Sequence, residues 1–253
     1  MSSTTALLDI DPDVGPGEPE LVERFRALVQ DDQPLPKHIE TGGASGDAVL
    51  RALAATAPLA LDRHRREGIP TAVTVNTLRD VGRKHCLYGA DTVLPWLLGI
   101  LRGDVVEVGR LQVERRRGDL GHALHIPETG ALVPESVSAS LAAAALLTGS
   151  NDFSCTSWLL DSRLPIALPD SRIASFAKRF TVVGNAQPTV AASAEVAKFA
   201  FQRSLADVLD PRVVVPRTSL ERLIATSLRA GEHWTQPVGV LSVAAHVIGA
   251  EPS

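Results

Sequence analysis

The sequence is poor in cysteine. Of its 253 residues, two are cysteines, Cys86 and Cys155, and they lie far apart. Two cysteines do not build a disulfide framework or a cysteine metal cluster, so we predict no metal site. A reducing cytoplasm is the simplest compartment for such a chain.

Long apolar runs are also missing. The longest charge-free apolar run, residues 92–101 (TVLPWLLGIL), is far shorter than the roughly 20 residues that a membrane-spanning helix needs. The first residues, MSSTTALLDIDPD, contain acidic but no basic side chains, which is unlike a secretory signal peptide. We therefore expect a cytoplasmic protein with no membrane partner.

The chain has no excess of positive charge. Its 25 Lys and Arg residues stand against 29 Asp and Glu residues, which gives a net charge of −4. This balance offers no general electrostatic basis for binding nucleic acid or an anionic membrane. Two basic runs, residues 63–66 and 110–117, are either solvated surfaces or phosphate contacts for a carrier arm or a tRNA acceptor stem. Neither run has the interleaved aromatic residues that single-strand stacking uses.

The residue pattern divides the chain into three parts. Residues 1–17 are rich in Pro, Gly and Asp, and we predict a mobile N-terminus there. Residues 18–103 carry apolar residues at helical spacing, which predicts a helical N-terminal domain. Residues 104–253 mix strand-like and helical patterns, which predicts an α+β domain built on a sheet.

Individual elements of the last part have their own signals. Period-two alternation predicts a single strand over residues 107–117. Pro134, followed by an Ala-rich stretch, predicts a helix over residues 134–147. Thr218 and Glu221 have capping-box spacing at the start of a helix over residues 218–231. Further strands are predicted at residues 121–127, 153–160, 179–184, 196–202 and 238–247.

Seven stretches follow one another along the chain: GIPxxV with LRDVGR (68–83), LLGILRGDVVEVGRLQVERRR (97–117), HIPETGALVPESVSASL (125–141), CTSWLLD (155–161), LPDSRIASFAKRF (168–180), RTSLERLI (217–224) and GEHW (231–234). Together they resemble the acyltransferase-domain proteins that pair a helical N-acyltransferase N-terminal domain with a GNAT-like C-terminal domain. The resemblance runs from about residue 20 to about residue 242. It implies a helical N-terminal region followed by a GNAT-like mixed β-sheet domain with flanking helices.

The resemblance also implies an activity. A GNAT-like acyltransferase moves an acyl group from an activated (thio)ester donor to an amine of a small molecule, by direct transfer and often in a biosynthetic pathway. The alternative is an aminoacyl-tRNA- or acyl-tRNA-dependent amide-forming transferase of the same fold. A second alternative is a non-catalytic ligand-binding relative, because Thr156 stands where relatives carry a histidine.

Direct acyl transfer needs a base for the amine, a donor for the oxyanion and a proton for the leaving group. GNAT-like enzymes hold the donor arm where two parallel strands splay, and here those strands would be residues 123–127 and 153–160. Covalent attack by Cys155 is the disfavoured interpretation, since an isolated small residue in a strand is more often core. The catalytic candidates are Glu114, His125, Cys155, Ser157 and His233.

Substrate contacts are predicted on both sides of these strands. Arg110 and Gln112 share one face of the predicted strand at 107–117, although an ion pair between Arg110 and Glu114 would explain that face without a ligand. Trp234 follows the capped helix at a loop mouth, where it either meets the acceptor or anchors the last strand. The substrate-binding candidates are Arg110, Gln112, Thr156, Trp158 and Trp234.

The segment IPETGALVPES (126–136) corresponds to the loop that holds the CoA pyrophosphate in GNAT-like enzymes, which has the form Arg/Gln-x-x-Gly-x-Gly/Ala. Pro127 and Leu132 do not fit two of its positions, and Glu128 and Glu135 add negative charge beside the helix start. The loop sequence therefore argues against acyl-CoA as the cofactor. A carrier protein or a tRNA is the alternative source of the acyl group. The cofactor-binding candidates are Gly130, Ala131 and Ser136.

Overall fold

The computed structural model describes residues 4–11 and 15–244. Its contacts divide the chain into two compact units. Unit 1 consists of the described residues of Met1–Val108 together with Gln112–Arg116, and unit 2 of Gly109–Leu111 together with the described residues of Arg117–Ser253. None of the helices in the described part is long and apolar enough to cross a membrane.

Unit 1 is built from helices that share one apolar core. In the second helix, Leu21, Phe25 and Val29 recur every fourth residue and are all buried, as the helical spacing predicted. Ser45 caps the third helix by accepting a hydrogen bond from the Ala48 N–H. The elements are α1 (Thr4–Leu8), α2 (Pro19–Gln30), α3 (Gly46–Arg66), α4 (Thr71–Tyr88), α5 (Leu94–Arg102) and β1 (Val105–Val108).

The first helix lies within the segment that was predicted to be mobile. Leu8 of α1 is fully buried, and α1 packs against α4. The contact falls on Gly82, where an added Cβ would lie 2.6 Å from the Leu8 carbonyl oxygen and 2.0 Å from that of Asp9. The absence of a side chain at residue 82 is therefore what lets the backbone after α1 lie directly on α4.

A buried polar network in unit 1 takes in Gln112. Its Nε2 donates to Asp80 Oδ2 at 2.7 Å, and both side chains are almost fully buried. Arg83 donates to Asp80 and to Glu107, so one guanidinium compensates two carboxylates. Burial raises the pKa of Glu107, although Arg83 opposes the shift. Gln112 therefore has a structural role, and its burial does not support the predicted substrate contact.

The remaining elements alternate strands with short helices. They are β2 (Leu111–Gly118), β3 (Gly121–His125), α6 (Pro134–Thr148), β4 (Asp152–Thr156), a 3-10 helix (Trp158–Leu160), α7 (Arg163–Ala167), α8 (Arg172–Ala177), β5 (Thr181–Val183), α9 (Val190–Phe201), α10 (Leu205–Leu209), α11 (Ser219–Arg229) and β6 (Val238–Ser242). The six strands form one mixed sheet in the order β1-β2-β3-β4-β6-β5. β3 and β4 are parallel, whereas β6 is antiparallel to both β4 and β5. The predicted α+β class with a GNAT-like mixed sheet is confirmed.

The prediction of one strand over residues 107–117 was wrong. β1 ends at Val108 and β2 begins at Leu111, with Gly109 and Arg110 between them. Gly109 has a φ of 63°, in the left-handed region that glycine adopts without strain. Arg110 consequently leaves the strand and does not share a β2 face with Gln112.

The predicted strand at residues 196–202 was also wrong, because this segment belongs to helix α9. Thr189 starts α9 by accepting a hydrogen bond from the Ala192 N–H at 3.0 Å. Val196 and Ala197 are buried one helical turn after Ala192 and Ser193, which is a helical period. The Thr189 cap, which lies upstream of the segment 196–202, starts the helix that includes it.

The four other predicted strands are shorter in the structure, and two of them, β3 (Gly121–His125) and β5 (Thr181–Val183), lose only two or three residues. The segment 153–160 leaves the sheet after Thr156, because Ser157 starts the 3-10 helix and carries Trp158 with it. β6 covers Val238–Ser242 of the predicted 238–247, and residues 245–247 lie outside the described residues. The helix over residues 218–231 is confirmed as α11, with the capping box of Thr218 and Glu221.

Candidate active site

The parallel strands β3 and β4 pair over a short distance. Within the described residues their register joins His122 to Phe153 and Ala123 to Ser154, and both strands then continue for two residues. β4 keeps its other neighbour, since Thr156 still pairs with Val238 of β6. The paired register of β3 and β4 therefore ends two residues before each strand ends, at the place where the acyl-donor arm was expected, and we call this place the opening of the sheet.

Cys155 and Ser157 flank the exposed Thr156 at this opening. The Cys155 side chain is 1% exposed, and burial raises the pKa of its thiol to about 12. The thiol therefore stays protonated at neutral pH, whereas nucleophilic attack would need the thiolate. The Ser157 hydroxyl accepts the Leu159 N–H at 3.1 Å and so starts the 3-10 helix. Both side chains have a structural use.

The segment between β3 and α6 brings the predicted cofactor-binding residues together. Gly130 and Ala131 are exposed in this loop, and Gly130 has a φ of 65°. Helix α6 begins at Pro134, and no side chain caps it. The N–H groups of its first turn, including that of Ser136, thus lack an acceptor within the helix. The loop and the helix start present backbone donors at one place.

Arg110 holds this loop rather than facing a ligand. Its guanidinium donates to three backbone carbonyls, those of Pro127 and Gly130 at 3.0 Å and that of Ala131 at 3.3 Å. Its backbone N–H donates to the Ser140 hydroxyl at 2.7 Å. The predicted substrate-binding role is thus replaced by contacts with the loop itself.

Arg179 was missed by the sequence analysis. Its Nη2 donates to the carbonyl of Pro134 at 2.9 Å, which places a guanidinium beside the first residue of α6. The signal in the sequence was its membership of the stretch 168–180, which carried the family resemblance without assigning a role. A half-buried arginine at a helix start strengthens the local positive potential.

Trp158 and Trp234 pack on each other in the core of unit 2. Their rings meet edge to face with centroids 6.3 Å apart, and Trp234 is fully buried. The Arg163 guanidinium carbon lies 4.1 Å from the centre of the Trp234 ring. The interpretation of Trp234 as an anchor of the last strand fits this packing, and the predicted substrate contacts of both tryptophans gain no support from it.

Asp161 organises the turn around these rings. Arg163 pairs with its carboxylate, and Thr235 donates to it from both the backbone N–H and the hydroxyl. Burial opposes ionisation of Asp161, but the hydrogen bonds from Arg163 and Thr235 outweigh it and lower the pKa. Arg163 also donates to the carbonyl of His233 at 3.0 Å, so the same cluster fixes the His233 backbone.

The His233 ring is exposed and held at one nitrogen. Its Nδ1 lies 3.2 Å from the Ser193 hydroxyl oxygen. That oxygen also accepts the Trp234 N–H and lies 3.0 Å from the carbonyl of Thr189. The structure thus fixes both the backbone and the ring of His233.

The catalytic roles of Glu114 and His125 remain predictions. Glu114 lies in the part of β2 that belongs to unit 1 and is half-buried. His125 is the last residue of β3 and is half-buried at the opening beside β4.

Several members of the two basic runs pair with neighbouring acidic groups. Arg63 is buried and donates to the Val29 and Asp31 carbonyls, and it pairs with two carboxylates. His64 is also buried. Other members pair as Arg65–Asp62, Arg115–Glu67 and Arg117–Asp152. The motive for a phosphate-rich partner such as tRNA is weakened accordingly.

Comparisons with known proteins cover nearly the whole chain. The model of the N-acyltransferase N-terminal domain matches residues 5–98, and that of the GNAT-like C-terminal domain matches residues 89–241. No curated protein is similar enough in sequence to match.

Three similar crystal structures are each 26% identical to this chain. One is an acyltransferase in complex with decanoyl-CoA and teicoplanin, with a TM-score of 0.77 over 94% of this chain and 86% of that chain. The second is an acyltransferase in complex with CoA and 10C-teicoplanin, with a TM-score of 0.76 over 94% and 86%. The third is a mutant acyltransferase in complex with octanoyl-CoA, with a TM-score of 0.73 over 95% and 82%.

Proposed function

Because this chain belongs to the family that joins an N-acyltransferase N-terminal domain to a GNAT-like C-terminal domain, we propose that it transfers an acyl group from acyl-CoA to an amine of a small molecule. The class of the protein, an acyltransferase enzyme, is confirmed by these matches and by its structural neighbours. The alternative of a non-catalytic relative is therefore set aside. The predicted cytoplasmic location and a biosynthetic role stay part of the proposal.

One observation carries the choice of acyl-CoA as donor. Structures that align with 94% of this chain contain decanoyl-CoA or CoA. In this chain, the sheet opens between β3 and β4, and the chain leaves β3 for an exposed loop and the uncapped start of α6. We assign the acyl-pantetheine arm to the opening and the pyrophosphate to the loop and α6.

The residues at the loop suit such an anion. The first-turn N–H groups of α6 lack acceptors within the helix, and Arg179 adds a guanidinium at Pro134. The loop lacks the glycine pattern that holds the CoA pyrophosphate in GNAT-like enzymes. The helix start and Arg179 nevertheless supply positive potential at this place. Because the similar structures contain CoA or acyl-CoA, acyl-CoA is the favoured donor rather than a carrier protein or a tRNA.

His233 is the general base that we favour. The Ser193 hydroxyl has one proton, which we assign to its 3.0 Å hydrogen bond with the Thr189 carbonyl. The Ser193 oxygen then accepts from Trp234 N–H and from His233 Nδ1–H. This tautomer leaves the lone pair on His233 Nε2, the nitrogen that can take a proton from an amine.

The proposed reaction is balanced without a covalent enzyme intermediate. The amine nitrogen attacks the thioester carbonyl, the C–N bond forms, and the C–S bond breaks. His233 Nε2 takes the proton from the amine and then gives it to the departing thiolate of CoA, which returns His233 to its neutral form. The products are an amide and free CoA. Cys155 and Ser157 take no part as nucleophiles.

The donor and acceptor are tested together. The protein is incubated with acetyl-, octanoyl- or decanoyl-CoA and with amine acceptors that include glucosamine and a glycopeptide lacking its acyl chain. Intact-mass detection of an amide, with matching release of free thiol, is the expected result. The proposal is wrong if no acyl-CoA yields an amide with any acceptor, while an acyl-tRNA or a carrier-bound acyl group does.

A further inference from the structure

We infer that Arg110 is a positioning residue that shapes the loop of residues 127–131 into a cradle for the phosphates of the donor. This inference rests on the proposed acyl-CoA donor, whose pyrophosphate we assigned to this loop. Arg110 lies outside this loop in the sequence, but its side chain orients the loop backbone.

The geometry consists of one guanidinium and three carbonyls. Nη1 donates to Pro127 O and Nη2 to Gly130 O, each at 3.0 Å, and Nε donates to Ala131 O at 3.3 Å. The planar fork of arginine can reach several acceptors at once, which the single ammonium of lysine cannot do. The carbonyls at both ends of the loop are thereby turned toward Arg110.

The planarity of the peptide bond gives these contacts a consequence. In a trans peptide the C=O of one residue is antiparallel to the N–H of the next. Because the guanidinium of Arg110 donates to the carbonyls of Gly130 and Ala131, the N–H groups of Ala131 and Leu132 point away from Arg110. Among the described residues, neither of these N–H groups donates to a backbone carbonyl. They are available to an anion on the far side of the loop, as in backbone anion nests.

Arg110 itself is fixed from behind. Its backbone N–H donates to Ser140 Oγ at 2.7 Å, and that hydroxyl donates to the carbonyl of Ser136 in the same helix, at 2.8 Å. Gly109 has a φ of 63°, and a Cβ there would lie 2.5 Å from Ser140 Oγ. The turn between β1 and β2 is thus joined to α6, and the loop is held between them.

This arrangement explains how the cradle forms without the glycine-rich sequence. Glycines normally let a phosphate loop adopt the conformation that turns its N–H groups to the ligand. Here a side chain imposes that orientation from outside, while the buried Pro127 and Leu132 hold the two ends. Preorganisation of this kind lowers the cost of ordering the loop when the donor binds.

The test compares two donors that share the acyl group and differ in the phosphates. Steady-state rates are measured with decanoyl-CoA and with decanoyl-pantetheine, which has neither pyrophosphate nor nucleotide. For Arg110→Ala we expect kcat/KM with decanoyl-CoA to fall about tenfold, mainly through KM, because the cradle must be ordered on binding. The value with decanoyl-pantetheine should stay at that of the parent. An equal loss with both donors, or no loss with either, overturns the inference.

Two further variants separate positioning from charge and from misfolding. Arg110→Lys keeps the positive charge but loses the fork, so it should behave like Arg110→Ala; parent-like rates with decanoyl-CoA would overturn the inference. Ser140→Ala leaves the guanidinium intact and should give a smaller rise in KM for decanoyl-CoA. If Arg110→Ala does not fold, as judged by circular dichroism, the lysine variant decides.

Binding of CoA to the parent, measured by calorimetry, separates this inference from the proposed function. If the parent does not bind CoA, the donor assignment fails and the inference fails with it. If the parent binds CoA and the Arg110 variants bind it equally well, the role of Arg110 alone is wrong.

Discussion

The carboxylate of Asp161 accepts two hydrogen bonds from Thr235, one from its backbone N–H at 3.0 Å and one from its hydroxyl at 2.7 Å. These residues are 74 positions apart, and the contact ties the end of the 3-10 helix to the segment that leads into β6. Arg163 completes the pairing with the same carboxylate and reaches the His233 carbonyl. A buried carboxylate thus positions the backbone of the proposed base.

The first prediction concerns the replacement of this carboxylate. Asp161→Asn places an amide N–H₂ group among donors that need an acceptor, so we expect a loss of about 2–4 kcal/mol in the free energy of unfolding. Denaturant unfolding at neutral pH measures it. Asp210→Asn is the matched control, because Asp210 makes the same local hydrogen bonds to Arg212 and its side chain is 28% exposed, against 2% for Asp161. Equal losses in the two variants would contradict a special role for the buried pair.

The same carboxylate predicts an acid dependence. The folded pKa of Asp161 is lowered, so its stabilising contribution is complete above the ordinary value of 3.8 and is lost as the pH falls below that value. Unfolding curves of the parent below pH 4 should therefore be steeper in pH than those of Asp161→Asn. Parallel pH dependence in the two proteins would show that Asp161 is not a source of acid lability.

His64 predicts a second pH dependence, in unit 1. Burial lowers the pKa of its imidazole, although the hydrogen bond between Nε2 and the Ile100 carbonyl, at 3.0 Å, opposes the shift. The unfolded chain then takes up a proton near pH 6.5 while the folded chain does not. Stability contributed by neutral His64 is complete above that pH and declines as the pH falls toward the folded pKa.

Thermal melts between pH 7.5 and pH 5 would follow this decline, and they are a direct check on the His64 prediction. His64→Gln keeps a donor for the Ile100 carbonyl and should flatten the pH dependence. His38→Gln changes an exposed histidine of the same unit and should leave it as in the parent. A flat profile in the parent would show that His64 is not buried in neutral form.

The proposed base gives a kinetic prediction. His233→Ala should lower kcat by about two to four orders of magnitude, since no other group takes the proton from the amine in the transition state. His125→Ala is the comparison, because His125 lies at the opening of the sheet. A larger loss from His125→Ala would transfer the role of base to that residue.

Cys155 gives a prediction about chemistry that should not occur. With a pKa of about 12 and 1% exposure, its thiol should resist iodoacetamide in the folded protein, while the exposed Cys86 should be alkylated. Peptide mass spectrometry distinguishes the two sites. Cys155→Ser should keep measurable turnover, with any loss traceable to stability. An inactive but folded Cys155→Ser protein would revive covalent catalysis.

The fold was largely predictable because its signals are local. The capping box at Thr218 and Glu221 and the apolar spacing of Leu21, Phe25 and Val29 each sit within a few residues of the element they specify. The segment 196–202 was wrongly predicted as a strand, because the Thr189 cap that begins helix α9 lies upstream of it.

The site was less predictable because its contacts are distant in sequence. Nothing near Ser193 indicates that it meets His233, 40 positions away. Arg110 was selected by strand alternation, yet the left-handed turn at Gly109 removes it from the strand and directs it to the loop. Sequence patterns can suggest such residues, but their partners depend on tertiary contacts between segments that are far apart in the sequence.

The docking of α1 on Gly82 places an unequal burden on the two partners. Because the approach is between the carbonyls of Leu8 and Asp9 and the backbone of α4, the side chain of residue 9 matters only through its backbone φ of 56°. Position 82, in contrast, accepts no side chain at all without displacing the segment. Any side chain at residue 82 should therefore displace the segment after α1, whereas residue 9 should accept only residues that adopt its left-handed φ of 56° readily, such as Asn or Gly.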